Sequence, residues 1–363
     1  MSHNDSFHAD AFESGTLIKL DIFYEYLRQC IPVFIKMAQT VTFNYFDFFC
    51  GPGLDGAGKK GSPLLALDAV NEYCHSFNSL NTEFNLYYSD ENKEKIENLR
   101  TNVSKYKNIE NVSFDIKCGC FCDEFEKKYS LMTRGGAANF IFIDPFGFEV
   151  DISMFLRISK LCYTDFIMFI PSSFANRFKD HSTIKKYLPG LNLDSIRDSD
   201  FVHTHICEYY RSIVASKNIN CYLTQFSIKK GSNVYGLIFG TGSILGLEKF
   251  LNICWQKDPK SGEANFDMYG NIPMNGQLFL LDDFYSKKMM NFKCDLERKI
   301  LNKELKTNKE VYEYTLFNGF LPRHSREIIN KMVKNKQLEY TVVLSYKSIV
   351  KDKKIESLKR KVK

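Results

Sequence analysis

Residues 221–240 read CYLTQFSIKKGSNVYGLIFG. Two β-rich runs, Cys221–Ile228 and Val234–Gly240, are joined by KKGSN. So short a connection, with a glycine in it, closes a hairpin, so the two strands must be antiparallel. Upstream the pattern is different. Phe43–Cys50 (FNYFDFFC), Phe84–Ser89 (FNLYYS), Val112–Lys117, Asn139–Ile143 (NFIFI) and Asp165–Ile170 read as strands. Between them, PLLALDAVNEYC after Ser62, Glu91–Lys105, Asp123–Met132 and Ile152–Leu161 read as helices. Strands alternating with helices of this length predict a parallel, doubly wound sheet. A further helix is expected over residues 17–38, with Leu20, Phe23, Leu27 and Ile31 on its core face and Pro32 bending or ending it. Another follows the hairpin at Ser243–Gln256.

Composition bounds the rest. The chain has 363 residues, of which 44% are hydrophobic, including 32 Phe and 20 Tyr. That is enough to bury a sizeable core, which excludes global disorder, and enough length for about two domains. The longest apolar runs, such as Phe140–Ile143 and Phe166–Pro171, are too short to span a bilayer. The start, MSHNDSFHADAFESG, lacks the basic and apolar stretches of a signal peptide, so the chain is expected to be cytoplasmic with no membrane partner. Its 11 cysteines are irregularly spaced and read as reduced thiols. The expected organisation is an N-terminal helical segment over 1–40 packing on a core domain over 41–258, which carries a helical cap insert at 172–218. A polar linker over 259–290 then leads to a basic unit over 291–363.

Five parallel strands closed by an antiparallel hairpin are the strand inventory of class I S-adenosylmethionine-dependent methyltransferases, a Rossmann-like α/β sheet. In such a sheet, ligands bind at the carboxyl ends of the strands. Gly51-Pro52-Gly53 lies directly after the first strand, where glycines let backbone N–H groups approach a carboxylate or a ribose. Asp47, read as lying three residues before the strand end, is a candidate acceptor for a ligand ammonium; its other reading is a carboxylate paired with the loop. Asp90, ending the second strand, is placed to take both ribose hydroxyls of an adenosine, and also to cap the next helix. Cys118–Cys122 (CGCFC) follows the third strand and offers Cys120 where many adenosine sites carry an acid. With no second cluster to complete four ligands, no metal site is assigned. Asp144-Pro145-Phe146-Gly147 ends the fourth strand. A carboxylate or carbonyl there accepts from an exocyclic amine, and an aromatic beside it stacks on a flat base. These residues, Asp144, Pro145 and Phe146, form the candidate catalytic set. A competing motif, Gly53-Leu54-Asp55-Gly56-Ala57-Gly58-Lys59-Lys60, approaches a phosphate-binding loop but has Lys60 where a hydroxyl is required.

The chain resembles the three-Cys-motif partner proteins, a bacterial class I methyltransferase-like family. The stretches that carry this are Lys19-Leu20 with Tyr26-Leu27, DFFCGPG followed by GSPLLAL, FIDPFGF, VYGLIFGTG and GLEKFLNICW. They cover roughly residues 15–285. Cys50, where the family often has a small residue, and Cys120 are departures. The DPFG segment is also similar to that of tRNA guanine-N2 methyltransferases and, more loosely, to the DPPY of adenine-N6 enzymes. The resemblance implies S-adenosylmethionine as cofactor and a nucleobase amine as acceptor.

The C-terminal unit points to the polymer. From Phe284 to Lys363 there are 21 basic and 9 acidic residues, a net of +12, against −6 for the rest of the chain. Such a split favours an anionic partner, with nucleic acid (RNA or DNA) first. Helices at Leu296–Leu305 and Lys309–Phe320, the turn LPRHS, the stripe of Ile328, Ile329, Met332 and Val333, then LEYTVVL and a Lys-rich tail read as a winged helix. Arg323, His324 and Arg326 are placed to meet a groove, and Lys347, Lys351, Lys353 and Lys354 to meet phosphates. The function expected is therefore an S-adenosylmethionine-dependent methyltransferase acting on an exocyclic amine of a nucleobase in nucleic acid. Two alternatives stand beside it. One is a non-catalytic or donor-binding partner of a three-Cys-motif protein in a phage-related or defence system; the other is a P-loop-like nucleotide hydrolase.

Overall fold

The strand TFNYFD, β1 (Thr42–Asp47), is buried along its whole length. Burial without alternation is what a central parallel strand covered on both faces shows. In the computed structural model, described over residues 12–37, 40–76, 81–106, 109–145, 147, 149–170, 187–191, 202–230, 233–266 and 287–360, β1 pairs in parallel with β2 (Glu83–Asp90) and β4 (Ala137–Ile143). β2 pairs in parallel with β3 (Val112–Cys118), and β4 with β5 (Thr164–Ile170). β6 (Tyr222–Lys230) and β7 (Asn233–Thr241) form the antiparallel hairpin, and β7 docks antiparallel on β5. The order is β3-β2-β1-β4-β5-β7-β6. This is the doubly wound, methyltransferase-type sheet expected from the sequence. The winding reverses between β1 and β4, so a crevice opens beyond their carboxyl ends.

Helices cover both faces. α1 (Ser14–Ile35) lays Ile22, Phe23, Tyr26, Leu27, Cys30 and Ile31 into the core. The Phe23 ring lies 4.6 Å from Phe142 and 5.9 Å from both Tyr45 and Phe140. The helix ends at Ile35, within a turn of Pro32, as the sequence reading expected. α2 (Ser62–Asn71), α3 (Lys93–Val103), α4 (Phe121–Met132) and α5 (Ile152–Ser159) follow the successive strands. Two buried polar pairs tie the core: the Asn44 amide donates to Asn139 (3.0 Å), and the Tyr26 hydroxyl donates to Asp165 (2.7 Å).

Three expectations need correction. Of the expected cap at 172–218, residues 172–186 and 192–201 lie outside the described residues. The part that is described, α6 (Val202–Ser216), buries Ile206, Cys207 and Tyr210, and Tyr210 stacks on Phe155 at 3.9 Å. It is a layer of the core rather than a cap over the crevice. Second, contacts divide the chain into two compact units, Met1–Gly246 and Leu247–Lys363, not at the polar stretch 259–290, of which 267–286 is not described. The reason lies in α7 (Ile244–Lys257): its Trp255 donates to the Gly319 carbonyl (2.9 Å) and packs 5.6 Å from Phe320.

Third, the second unit is built on α8 (Lys287–Leu301), α9 (Asn308–Phe317) and α10 (Pro322–Lys334), but LEYTVVL forms no strand. Among the described residues of this unit only single bridges appear, Thr307 to Ser357 and Leu338 to Arg360. Side chains take the backbone partners that a ladder would need. Asn308 donates to the Val343 carbonyl, Arg326 to the Leu344 carbonyl, and the Val343 amide donates to Glu356. No described helix is long and apolar enough to cross a membrane.

Candidate active site

The loop after β1 is bound to the end of β2. Asp90 accepts from the Gly51 amide (3.1 Å) and, on its other oxygen, from the Asn92 amide (2.9 Å). The Cys50 amide donates to the Ser89 carbonyl (3.1 Å), and Asn102 donates to the Pro52 carbonyl (3.0 Å). Gly51 and Gly53 have φ of +61° and +84°, values that favour glycine. The expected convergence of Gly51, Pro52 and Gly53 with Asp90 is therefore present. Cys120 is brought to the same edge as the half-exposed residue preceding α4, and the Gly119 amide donates to the Asp90 carbonyl (3.1 Å). Glu149, which sequence reasoning missed, is also here: burial, then the charges of Glu91 and Asp90, push its carboxyl up. Among the described residues no group of His, Cys, Asp and Glu is arranged to hold a metal.

Asp47 lies elsewhere than expected. It is the last residue of β1 rather than three before its end, because the Phe49 amide turns back onto its Oδ1 (3.2 Å) and stops the strand. Fully buried, it accepts from the Ser62 hydroxyl (2.6 Å) and the Tyr45 hydroxyl (3.1 Å) on Oδ2. It thus braces the loop, the other reading the sequence offered for it. Ser62, read from sequence as a helix cap, spends its hydroxyl on this brace. Burial pushes the Asp47 carboxyl up to about 7, and Asp144 adds a smaller rise against the lowering effect of the three donors. Asp165 is pushed by burial to about 6.

The sign of the stability effect follows. Between the unfolded carboxyl range near 4 and about 7 the folded-state Asp47 holds more proton than the unfolded one, so its contribution to stability is fully present below about 4 and is lost as pH rises through about 7. The Asp47 contribution is on the order of 4 kcal/mol at about 1.4 kcal/mol per pKa unit. Asp47→Asn is expected to flatten the fall in unfolding midpoint between pH 5 and pH 8. A denaturant series at both pH values checks this, and an unchanged slope would count against a protonated Asp47.

Asp144 follows β4 and pairs with Lys19 of α1. The Lys19 ammonium also lies 4.5 Å from the centroid of the Phe169 ring, which stacks on Tyr235 at 5.4 Å. A pocket at this point is lined by Thr16, Lys19 and Leu20 of α1 and by Pro52, Gly53, Ser62 and Asp144. Pro145 is buried. Phe146, the expected stacking residue, lies outside the described residues. Lys19 was missed as a site residue; its one signal is a lysine on an otherwise apolar helix face, between Thr16 and Phe23. A carboxylate, an ammonium and an aromatic platform beside a glycine loop can hold a polar planar group and orient an amine.

The phosphate-loop reading is overturned. Asp55 accepts from the Ala57 amide (2.9 Å), the Lys59 amide (2.7 Å) and the Phe12 amide (2.6 Å). Burial raises its carboxyl, yet these donors prevail and hold it below the usual range. The amides that would cradle a phosphate are taken by the loop's own carboxylate. Lys60 pairs with Asp68 (2.6 Å).

In the second unit, Arg323 and Arg326 are exposed, as are Lys351, Lys353 and Lys354. His324 is not a groove residue: it is buried, its Nδ1 accepts from the Leu321 amide (3.1 Å), and its ring lies 4.2 Å from that of Trp255. Burial, with Arg323 and Lys288 nearby, lowers it to about 4, so it is neutral at physiological pH.

No protein-family model and no curated protein matches the chain, so its resemblance to three-Cys-motif partner proteins is not met by a family match. Among solved structures, it is similar to Trm1 from Pyrococcus horikoshii in complex with S-adenosyl-L-methionine, at 9% identity and a TM-score of 0.31, over 63% of this chain and 58% of that one. It is similar to the O-methyltransferase TomG from Streptomyces achromogenes in complex with SAM, at 10% identity and a TM-score of 0.34, over 65% of this chain and 92% of that one. It is also similar to the B. subtilis M1A22 tRNA methyltransferase TrmK, at 10% identity and a TM-score of 0.26, over 84% of this chain and 94% of that one. At these values the likenesses carry no argument. The fold rests on the strand order, and the functional reading on the chain's own residues.

Proposed function

We propose that the chain is an S-adenosylmethionine-dependent methyltransferase whose acceptor is an exocyclic amine of a nucleobase in nucleic acid. The observation that carries this is the bond from the Gly51 amide to Asp90, at the carboxyl edge of a sheet ordered β3-β2-β1-β4-β5-β7-β6. The residues fit the donor. Each Asp90 oxygen holds one backbone amide and keeps acceptor capacity for a ribose hydroxyl. Gly51 and Gly53 hold the loop in a positive-φ conformation, and a Cβ on Gly53 would strike Leu99 at 2.8 Å. Bound there, the donor would supply an electrophilic methyl group on its sulfonium. Transfer to a neutral amine depends on orientation more than on a strong base, and Asp144 is the residue assigned to hold that amine. Cys120 is assigned to the adenine edge.

Calorimetry with S-adenosylmethionine and S-adenosylhomocysteine, followed by radiolabelled methyl transfer into total RNA and DNA, tests the proposal. Donor binding and label in one polymer are expected. Absence of binding by either compound rejects the enzyme reading. A second reading, a donor-binding partner of a three-Cys-motif protein, is favoured by one feature: Asp144 is already engaged by Lys19. Donor binding with label in neither polymer would select it.

A further inference from the structure

The segment after α10 already buries Val342, Leu344 and Ile349 against its own unit. A second apolar set stays outside: Val343 is 48% exposed, Val350 39% and Ile355 49%. Hydrogen bonds draw the segments that carry them together. Asn308, fully buried, donates to the carbonyls of both Val343 (3.1 Å) and Lys354 (3.0 Å), and accepts from the Glu356 amide (2.9 Å). The helical turn Lys347–Lys351 carries Val350 and is closed by bonds from the Asp352 amide to the Lys347 carbonyl and from the Lys354 amide to the Ser348 carbonyl, both 2.9 Å. Lys353 turns the chain with φ of +52°, a left-handed conformation that costs a non-glycine residue about 1–2 kcal/mol. Lys347, Lys351, Lys353 and Lys354 are exposed around the aliphatic set. The tip is thus tied by hydrogen bonds and combines exposed aliphatic side chains with exposed lysines, on a stretch, Phe284–Lys363, of net charge +12.

We propose that this tip is a nucleic-acid contact, with Val350 and Ile355 lying against the sugars and base edges of a duplex groove while the lysines meet the flanking phosphates. This rests on the nucleic-acid part of the function proposed above and moves the grip away from the start of α10, where His324 is buried. Charge selects the occupant. A protein partner seated on exposed aliphatic residues would desolvate four ammonium groups, whereas phosphates compensate them and release counterions. Aliphatic side chains are also the kind used as wedges in duplex grooves, whereas single strands are held on aromatic faces.

The test uses the full chain and anisotropy with short labelled duplexes of one sequence, in RNA and in DNA, across a salt series. Val350→Ser/Ile355→Ser is expected to weaken binding about tenfold with the salt slope unchanged. Lys351→Gln/Lys354→Gln is expected to reduce the slope of log affinity against log salt by about two. All four side chains are exposed, so unfolding midpoints should match that of the parent and separate lost contact from lost fold. If the parent chain binds and both variants bind as it does, the tip is not the contact, as a protein-docking role would require. If the parent binds neither duplex, the nucleic-acid part of the proposed function falls with it. The donor calorimetry is untouched by either outcome.

Discussion

Asp90→Ala is expected to weaken S-adenosylhomocysteine binding about 100-fold, a loss of about 2.7 kcal/mol. Two effects add. The ribose hydroxyls lose a charged acceptor, and hydrogen bonds to charged groups contribute about 1.5–3 kcal/mol each. The Gly51 and Asn92 amides also lose the oxygens that hold them at 3.1 and 2.9 Å, so the loop is no longer held open for the donor. Asp90→Asn keeps one oxygen and is expected to lose less. Calorimetry on both variants, with unfolding midpoints alongside, decides the matter. Unchanged affinity in the alanine variant would remove the basis for placing the donor between Asp90 and the glycine loop.

The second large effect concerns Lys19 and Asp144, whose side chains are 9% and 24% exposed. Breaking a buried ion pair leaves one charge uncompensated, at about 3–5 kcal/mol for a fully buried pair. Partial exposure of Asp144 lets water screen part of that cost, so about 2 kcal/mol is expected for Lys19→Met alone. The double variant Lys19→Met/Asp144→Asn removes both charges and is expected to recover most of the loss. A denaturant-unfolding cycle over the four proteins measures the coupling. Single and double losses that simply add would mean that the pair is not coupled. In methyl transfer the two sites should part company: Asp144→Ala is expected to abolish label incorporation while leaving donor affinity intact, because Asp144 is assigned to the acceptor and not to the donor. Asp144→Asn, which keeps a carbonyl acceptor, is expected to lose less.

The sheet was legible because its signals are local. Each strand is a short β-rich run, each crossover a helix-period segment, and the hairpin follows from the length of KKGSN. Right-handed crossovers then put the ends of β1, β2 and β4 on one edge, so the meeting of Gly51 with Asp90 could be read without coordinates. The second unit was less legible. LEYTVVL has the residues of a strand, but Asn308, Arg326 and Glu356 take its backbone groups, and no ladder forms. The unit boundary was misplaced because a polar stretch marks it in sequence, whereas the packing of Trp255 against Phe320 marks it in space.

The order of residue types thus determined the architecture, the crevice and the cationic character of the tail, since periodicity, turn length and composition are properties of neighbours along the chain. Only the tertiary structure decided which partner each polar side chain takes. It tied Asp47 to Ser62, filled the would-be phosphate loop with Asp55, and brought Lys19 across 125 residues to Asp144. A buried charge or donor must find a complement wherever the fold supplies one, and that choice is made by distance in space, which spacing along the chain does not encode.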